Sequence, residues 1–207
     1  MDLMLLLSFL GAAIFLTLMP GPDILFVIAQ SISQNKKAGI ATALGLCSGL
    51  VVHITAATLG ISAIVYQSSL AFAIVKYAGA AYLLFLAWQS FRERGDALTI
   101  NSQKSLKYKQ LYKKGILMNI LNPKVSLFFL ALLPQFIDKT AGHISVQMLI
   151  LGFVFMIQAL IIFIAVSTLS DKIRQLLIRY SFINKRMNMI QGVLLAIISL
   201  QIAFSEN

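Results

Sequence analysis

Residues 3–32 read LMLLLSFLGAAIFLTLMPGPDILFVIAQSI, an apolar run whose one ionisable side chain is Asp23. About 20 apolar residues suffice to cross a hydrocarbon core about 30 Å thick, so this stretch is long enough for a membrane span. It is interrupted at Met19-Pro20-Gly21-Pro22-Asp23. Two prolines there remove backbone donors and leave carbonyls of the preceding turn without helical partners. Freed carbonyls can coordinate a cationic group. A proline kink with a hydrated Asp23 is the plainer alternative, but acids inside a membrane are rarely idle. A secretory signal would need a basic start, and only Asp2 precedes the run, so the segment reads as a retained span.

The rest of the chain repeats the pattern. Of 207 residues, 59% are hydrophobic and 12% charged, against roughly 25% charged in soluble domains; the mean hydropathy is +0.87. Further apolar runs cover Gly39 to Val65, Leu70 to Phe91, Gly115 to Phe136, Ile144 to Leu169 and Met189 to Phe204. The expected fold is an all-α integral membrane protein with six transmembrane helices, since a span in lipid must satisfy its own backbone and no barrel-like alternation is present. Residues 1–207 form a single transmembrane domain.

The net charge of +10 could signal nucleic acid, but 14 of the 17 Lys and Arg lie in three stretches between runs: Lys36 and Lys37, Arg92 to Lys114, and Lys172 to Arg186. Cytoplasmic loops of membrane proteins concentrate cations in this way. The lipid bilayer is therefore the expected partner, not nucleic acid. The same count puts loops 1, 3 and 5 in the cytoplasm and both termini outside. Lys76, near the outer end of its run, is expected to snorkel. Apolar Ile173, Leu176, Leu177 and Tyr180 alternate with Lys172, Arg174 and Arg179 at helical spacing, an amphipathic segment expected on the inner leaflet.

Dividing the chain at the basic loop 92–114 gives two three-helix sets, about 1–91 and 115–207. An odd number of spans per set inverts the second relative to the first. Each set opens with a proline followed by a charge, Pro22-Asp23 and Pro123-Lys124, and its second helix carries Leu44-Gly45 or Leu151-Gly152. Inverted-topology repeats with broken first helices are the construction of secondary transporters. Counting inward from Lys36 and outward from Lys114 at about 1.5 Å per residue puts Asp23 and Lys124 roughly 20 Å and 15 Å from the inner boundary, both near mid-bilayer. They are natural partners around a polar cavity.

Asp23 can alternately bind a proton and an ammonium group, the minimal chemistry for exchanging a proton against an amine-bearing solute. Asn119, Asn122, Pro123 and Lys124 form the matching break in the fourth run; Lys124 can receive a carboxylate or hold Asp23. The alternative there is interhelical hydrogen bonding by the asparagines with a snorkelling lysine. His53 and Gln158 fall near mid-span and complete the candidates, although a lone histidine is more often a packing residue. Gly45-x-x-x-Gly49 and Ala56-x-x-x-Gly60 read as close helix packing. Trp88, Tyr82, Tyr77 and Tyr66 read as interface anchors or packing groups. No P-loop, zinc spacing or His-Glu-x-x-His motif occurs, and Cys47 is alone, so enzymatic, metal-cofactor and redox functions are not expected.

Pro20-Gly21-Pro22-Asp23, Lys36-Lys37-Ala38-Gly39-Ile40 with Leu44-Gly45, the Gly-x-x-x-Asn-x-x-Asn-Pro-Lys pattern at Gly115 to Lys124, and Leu133-Pro134-Gln135-Phe136 together resemble the LysE/RhtB family of bacterial amino-acid exporters. The resemblance covers nearly the whole chain. It implies a plasma-membrane efflux carrier for amino acids or their derivatives, driven by the proton gradient and needing no cofactor. The Gly-Pro-Asp variant looks more like the homoserine/threonine branch than the basic amino-acid branch. Substrate-binding positions implied are Pro20, Gly21, Pro22, Asp23, Asn119, Asn122, Pro123 and Lys124. A homo-oligomer is compatible with this reading. The competing expectations are a metal-cation exporter and a non-transporting membrane scaffold that binds a partner through the basic loop.

Overall fold

The structure is a computed structural model. It describes residues 3–19, 21–67, 69–92, 106–138, 141–170, 172, 189, 192–193, 195–197, 199–200 and 203–204, with side chains omitted from 61–72 and from several positions in 75–90. Among the described residues every regular element is helical. The chain order is α1 (Leu3–Leu18), α2 (Pro22–Ser33), α3 (Lys36–Gln67), α4 (Ser69–Arg92), α5 (Tyr108–Ile120), α6 (Pro123–Leu127), a π-helical turn (Phe128–Leu132), a 3-10 turn (Leu133–Phe136) and α7 (Ile144–Thr168).

Lys36–Gly60 of α3 and the whole of α7 are long and apolar enough to cross a membrane, and each bent pair, α1 with α2 and α5 with the helical segment from Pro123, makes a further candidate. The described helices thus supply two to four spans against the six expected. Of the sixth run only separate positions are described, and the amphipathic stretch 173–180 and Pro20 lie outside the described residues. The positions that are described pack on α4. Ser199 Oγ donates to Ala80 O at 2.6 Å, and a Cβ on Gly192 would come within 2.6 Å of the Phe91 ring. That register is antiparallel.

Both first helices break where proline dictates. The axis turns by 54° between α1 and α2 and by 48° between α5 and α6. Gly21 is the extended N-cap of α2 with Pro22 at its first turn. Asn122 caps α6, its Oδ1 accepting from Lys124 N at 3.0 Å, and Pro123 follows. Proline at a first helical position loses no intrahelical bond, so each proline ends one helix and begins the next. A further irregularity comes from Pro134. The chain ahead of it widens into the π turn, where Leu133 N–H reaches Phe128 O, and then tightens into the 3-10 turn.

α3 lies centrally and packs most extensively on α5, then on α7 and α2. Small residues permit this approach: a Cβ on Gly45 would overlap the Tyr112 carbonyl, and one on Gly115 would lie 2.7 Å from Thr42 O. The expectation for Gly45 and Gly49 therefore holds. Ala56 and Gly60 are exposed, and among the described residues nothing comes within 4 Å of a Cβ at Gly60, so no close packing of that pair is seen there. α5 also begins earlier than the expected boundary at Gly115. Gln110 Oε1 accepts from Lys107 N at 3.1 Å, and the helix runs on through Lys109, Lys113 and Lys114. An aromatic cluster of Phe9, Phe128, Phe129, Phe136 and Phe155 fills the space beside the second break. Trp88 is exposed and carries the Arg92 guanidinium 4.7 Å above its ring, fitting an anchor at an interface.

Candidate functional site

The two breaks face one small, partly open pocket. Its polar lining is Thr17, Asp23, Asn119 and Lys124; Leu50, Phe155 and Phe163 supply apolar wall. Asp23 is buried in the first turn of α2 at 6% exposure. The N-terminal end of a helix carries partial positive charge, which favours a carboxylate there.

Asp23 Oδ2 accepts from Asn119 Nδ2 at 3.3 Å, while Asp23 Oδ1 is buried with no hydrogen-bond partner. Lys124 does not fill that vacancy. Its Nζ donates to Leu16 O at 3.1 Å and to Met19 O at 3.3 Å, across the gap between the two broken helices. Of the two sequence alternatives for Lys124, a direct hydrogen bond to Asp23 is thus not what the geometry has. The reason lies in the covalent chain: the carbonyls released ahead of Pro20 and Pro22 are acceptors in an apolar setting, and an ammonium satisfies them. Gly21 is where the chains come close. A Cβ there would lie 2.9 Å from Lys124 Nζ.

His53, Asn119 and Gln158 are brought into the same region. His53 Nε2 hydrogen-bonds Asn119 O at 2.9 Å and its ring stacks on Phe129, 6.1 Å between centroids. That contact ties α3 to the end of α5 and positions Asn119. Gln158 Nε2 donates to Thr17 Oγ1 at 2.9 Å and Ala13 O at 3.4 Å, joining α7 to the last turn of α1. Asn122 spends its oxygen on the α6 cap, leaving Nδ2 unpartnered; Asn119 Oδ1 and Gln158 Oε1 are also buried and unpartnered. Such orphan groups are expensive unless water or ligand reaches them. Asp23 and Asn119 line the pocket, whereas Asn122 and Gln158 are not among its lining residues.

Sequence reasoning missed Thr17, Leu50, Phe155 and Phe163. Thr17, a hydroxyl one turn ahead of the prolines, was a usable signal; the other three are indistinguishable by type from lipid-facing residues. Cys47 is buried in the apolar core, its Sγ 4.0 Å from Met156 O.

Helices broken at polar, charged turns around a common pocket are a construction found in membrane transporters. Comparison with known proteins gives the family. Residues 14–206 match the model of the LysE type translocators, and the chain belongs to that family. It is 38% identical over 152 residues to an uncharacterised membrane protein of Vibrio cholerae, covering 73% of this chain and 74% of that one. It is 32% identical over 149 residues to the leucine efflux protein of Salmonella typhimurium, covering 70% and 69%. To the homoserine/homoserine lactone efflux protein of the same organism it is 33% identical over 168 residues, 80% of each chain. No solved structure matches it.

Proposed function

We propose that this protein is a secondary carrier exporting an amino acid or amino-acid derivative from the cytoplasm in exchange for protons. The observation that carries the reading is the pairing of opposite helix ends at one cavity. α1 ends there in freed carbonyls, α2 and α6 begin there, and Asp23 and Lys124 stand beside them. A zwitterion needs this combination: acceptors for its ammonium, and a cation with positive helix ends for its carboxylate. Six spans in two inverted repeats, with both termini outside, would let the halves rock and expose the cavity alternately. Asp23 takes the ammonium on one stroke and a proton on the other.

The relatives named for leucine and for homoserine efflux support an amino-acid cargo. A metal cation fits less well: among the described residues no three His, Cys, Asp or Glu side chains come together. The test is to load cells lacking their own exporters with dipeptides and follow the released amino acids. Overproduction should accelerate the loss of a restricted set of them; equal rates for all, with protein present in the membrane, would refute export.

A further inference from the structure

The role of Lys124 follows from a missing hydrogen. In a helix Leu16 O would accept from the N–H of residue 20, which is a proline and has none; the carbonyl of Leu18 is deprived in the same way by Pro22. Lys124 Nζ supplies the donor instead, from a residue 108 positions away, and reaches Met19 O as well. The ammonium is held by neutral carbonyls. Asp23 keeps one oxygen on Asn119 and the other on nothing.

We propose that the Leu16 and Met19 carbonyl oxygens form a seat for a primary ammonium group, occupied here by Lys124, which the α-ammonium of the transported amino acid takes over during export. The seat rests on the helix break; its natural occupant rests on the transport reading above. Several features make the exchange workable. Leu16, Lys124 and Asp23 line the same pocket, so the seat adjoins the proposed substrate site. Glycine at position 21 lets an ammonium approach this closely, since a Cβ there would come within 2.9 Å of Nζ. An incoming carboxylate draws Lys124 away, and Asp23 Oδ1 and Asn119 Oδ1 are unspent acceptors for the arriving N–H groups. A seat made of carbonyls selects for N–H donors and not for charge alone, since only a hydrogen bond satisfies them.

Chemical rescue tests this. Lys124→Ala and Lys124→Met are purified in detergent and unfolded thermally with ethylammonium or tetramethylammonium at equal ionic strength. The alanine variant vacates both stem and head, so ethylammonium at about ten times its Kd should raise the midpoint by about 3–6 °C. The response should be smaller in Lys124→Met, whose stem fills the approach, and absent in the unmodified protein. Tetramethylammonium, with the charge but no N–H, should shift none of them. An equal response to both cations, or none in folded Lys124→Ala, overturns the seat. If Lys124→Ala does not fold unaided, the yield of monodisperse protein is read instead: ethylammonium alone should restore it, and failure to do so overturns the seat equally. For the occupant, a transported amino acid should stabilise the unmodified protein and its N-acetyl derivative should not. Equal stabilisation by both rejects the amino acid as occupant, whereas rescue by ethylammonium in a protein that exports no amino acid leaves the seat standing and removes the transport reading.

Discussion

Asp23→Asn protein is expected to reach the membrane in normal amount and to export more than tenfold less. Asparagine keeps the shape, and its side-chain oxygen can still accept from Asn119 as Asp23 Oδ2 does at 3.3 Å. What disappears is the charge and the ability to trade a proton for an ammonium. Removing one member of a buried charge-assisted contact costs about 2–5 kcal/mol, and each 1.4 kcal/mol is about a factor of ten. Folding should not suffer, because the native carboxylate leaves Oδ1 buried without a partner and its desolvation is relieved by neutral asparagine. Efflux from dipeptide-loaded cells, normalised to protein in the membrane, reads both halves. Normal export by a well-inserted variant removes Asp23 from the mechanism.

Gly45→Ala is expected to do the reverse, spoiling the fold and taking transport with it. A single methyl there overlaps the Tyr112 carbonyl, a backbone atom that cannot step aside without moving α5. The neighbouring turn is as close: a Cβ on Gly49 would lie 2.8 Å from the Asn119 Cβ. Because α5 carries Asn119 into the cavity, separating α3 from α5 also disturbs the bond between His53 and Asn119 O. Overpacking typically costs about 1–3 kcal/mol, and a collision with main chain belongs at or above the top of that range. Thermal midpoint and monodisperse yield in detergent measure it. Gly60→Ala is the control, since among the described residues nothing lies within 4 Å of a Cβ at that position; comparable damage from both variants would show that the α3–α5 approach is not the cause.

The breaks were legible because they follow from covalent facts and counting. Proline lacks a donor wherever it sits, and the run lengths fix where Asp23 and Lys124 fall along their helices. The partner of Lys124 was not legible: it is a pair of carbonyls on a helix 108 residues earlier, and a depth estimate for two charges pairs them by sign, not by direction. The cavity wall was hidden for a different reason. α3 and α7 are apolar all round, so Leu50, Phe155 and Phe163 differ from lipid-facing neighbours only in three dimensions. The same uniformity made Ala56 and Gly60 resemble Gly45 and Gly49, though among the described residues it is the latter pair that meets another helix. The start of α5 was obscured because Lys109, Lys113 and Lys114 made a helical turn look like loop.

The claim on which the account depends is that flux of an amino acid is tied to protons at Asp23. Purified protein in liposomes, given a labelled amino acid outside and an acid lumen, should concentrate it inside above the external level. Collapse by a protonophore and loss in Asp23→Asn complete the expected pattern. Equilibration at a rate and to a level indifferent to the pH gradient, in protein that still transports, would contradict it.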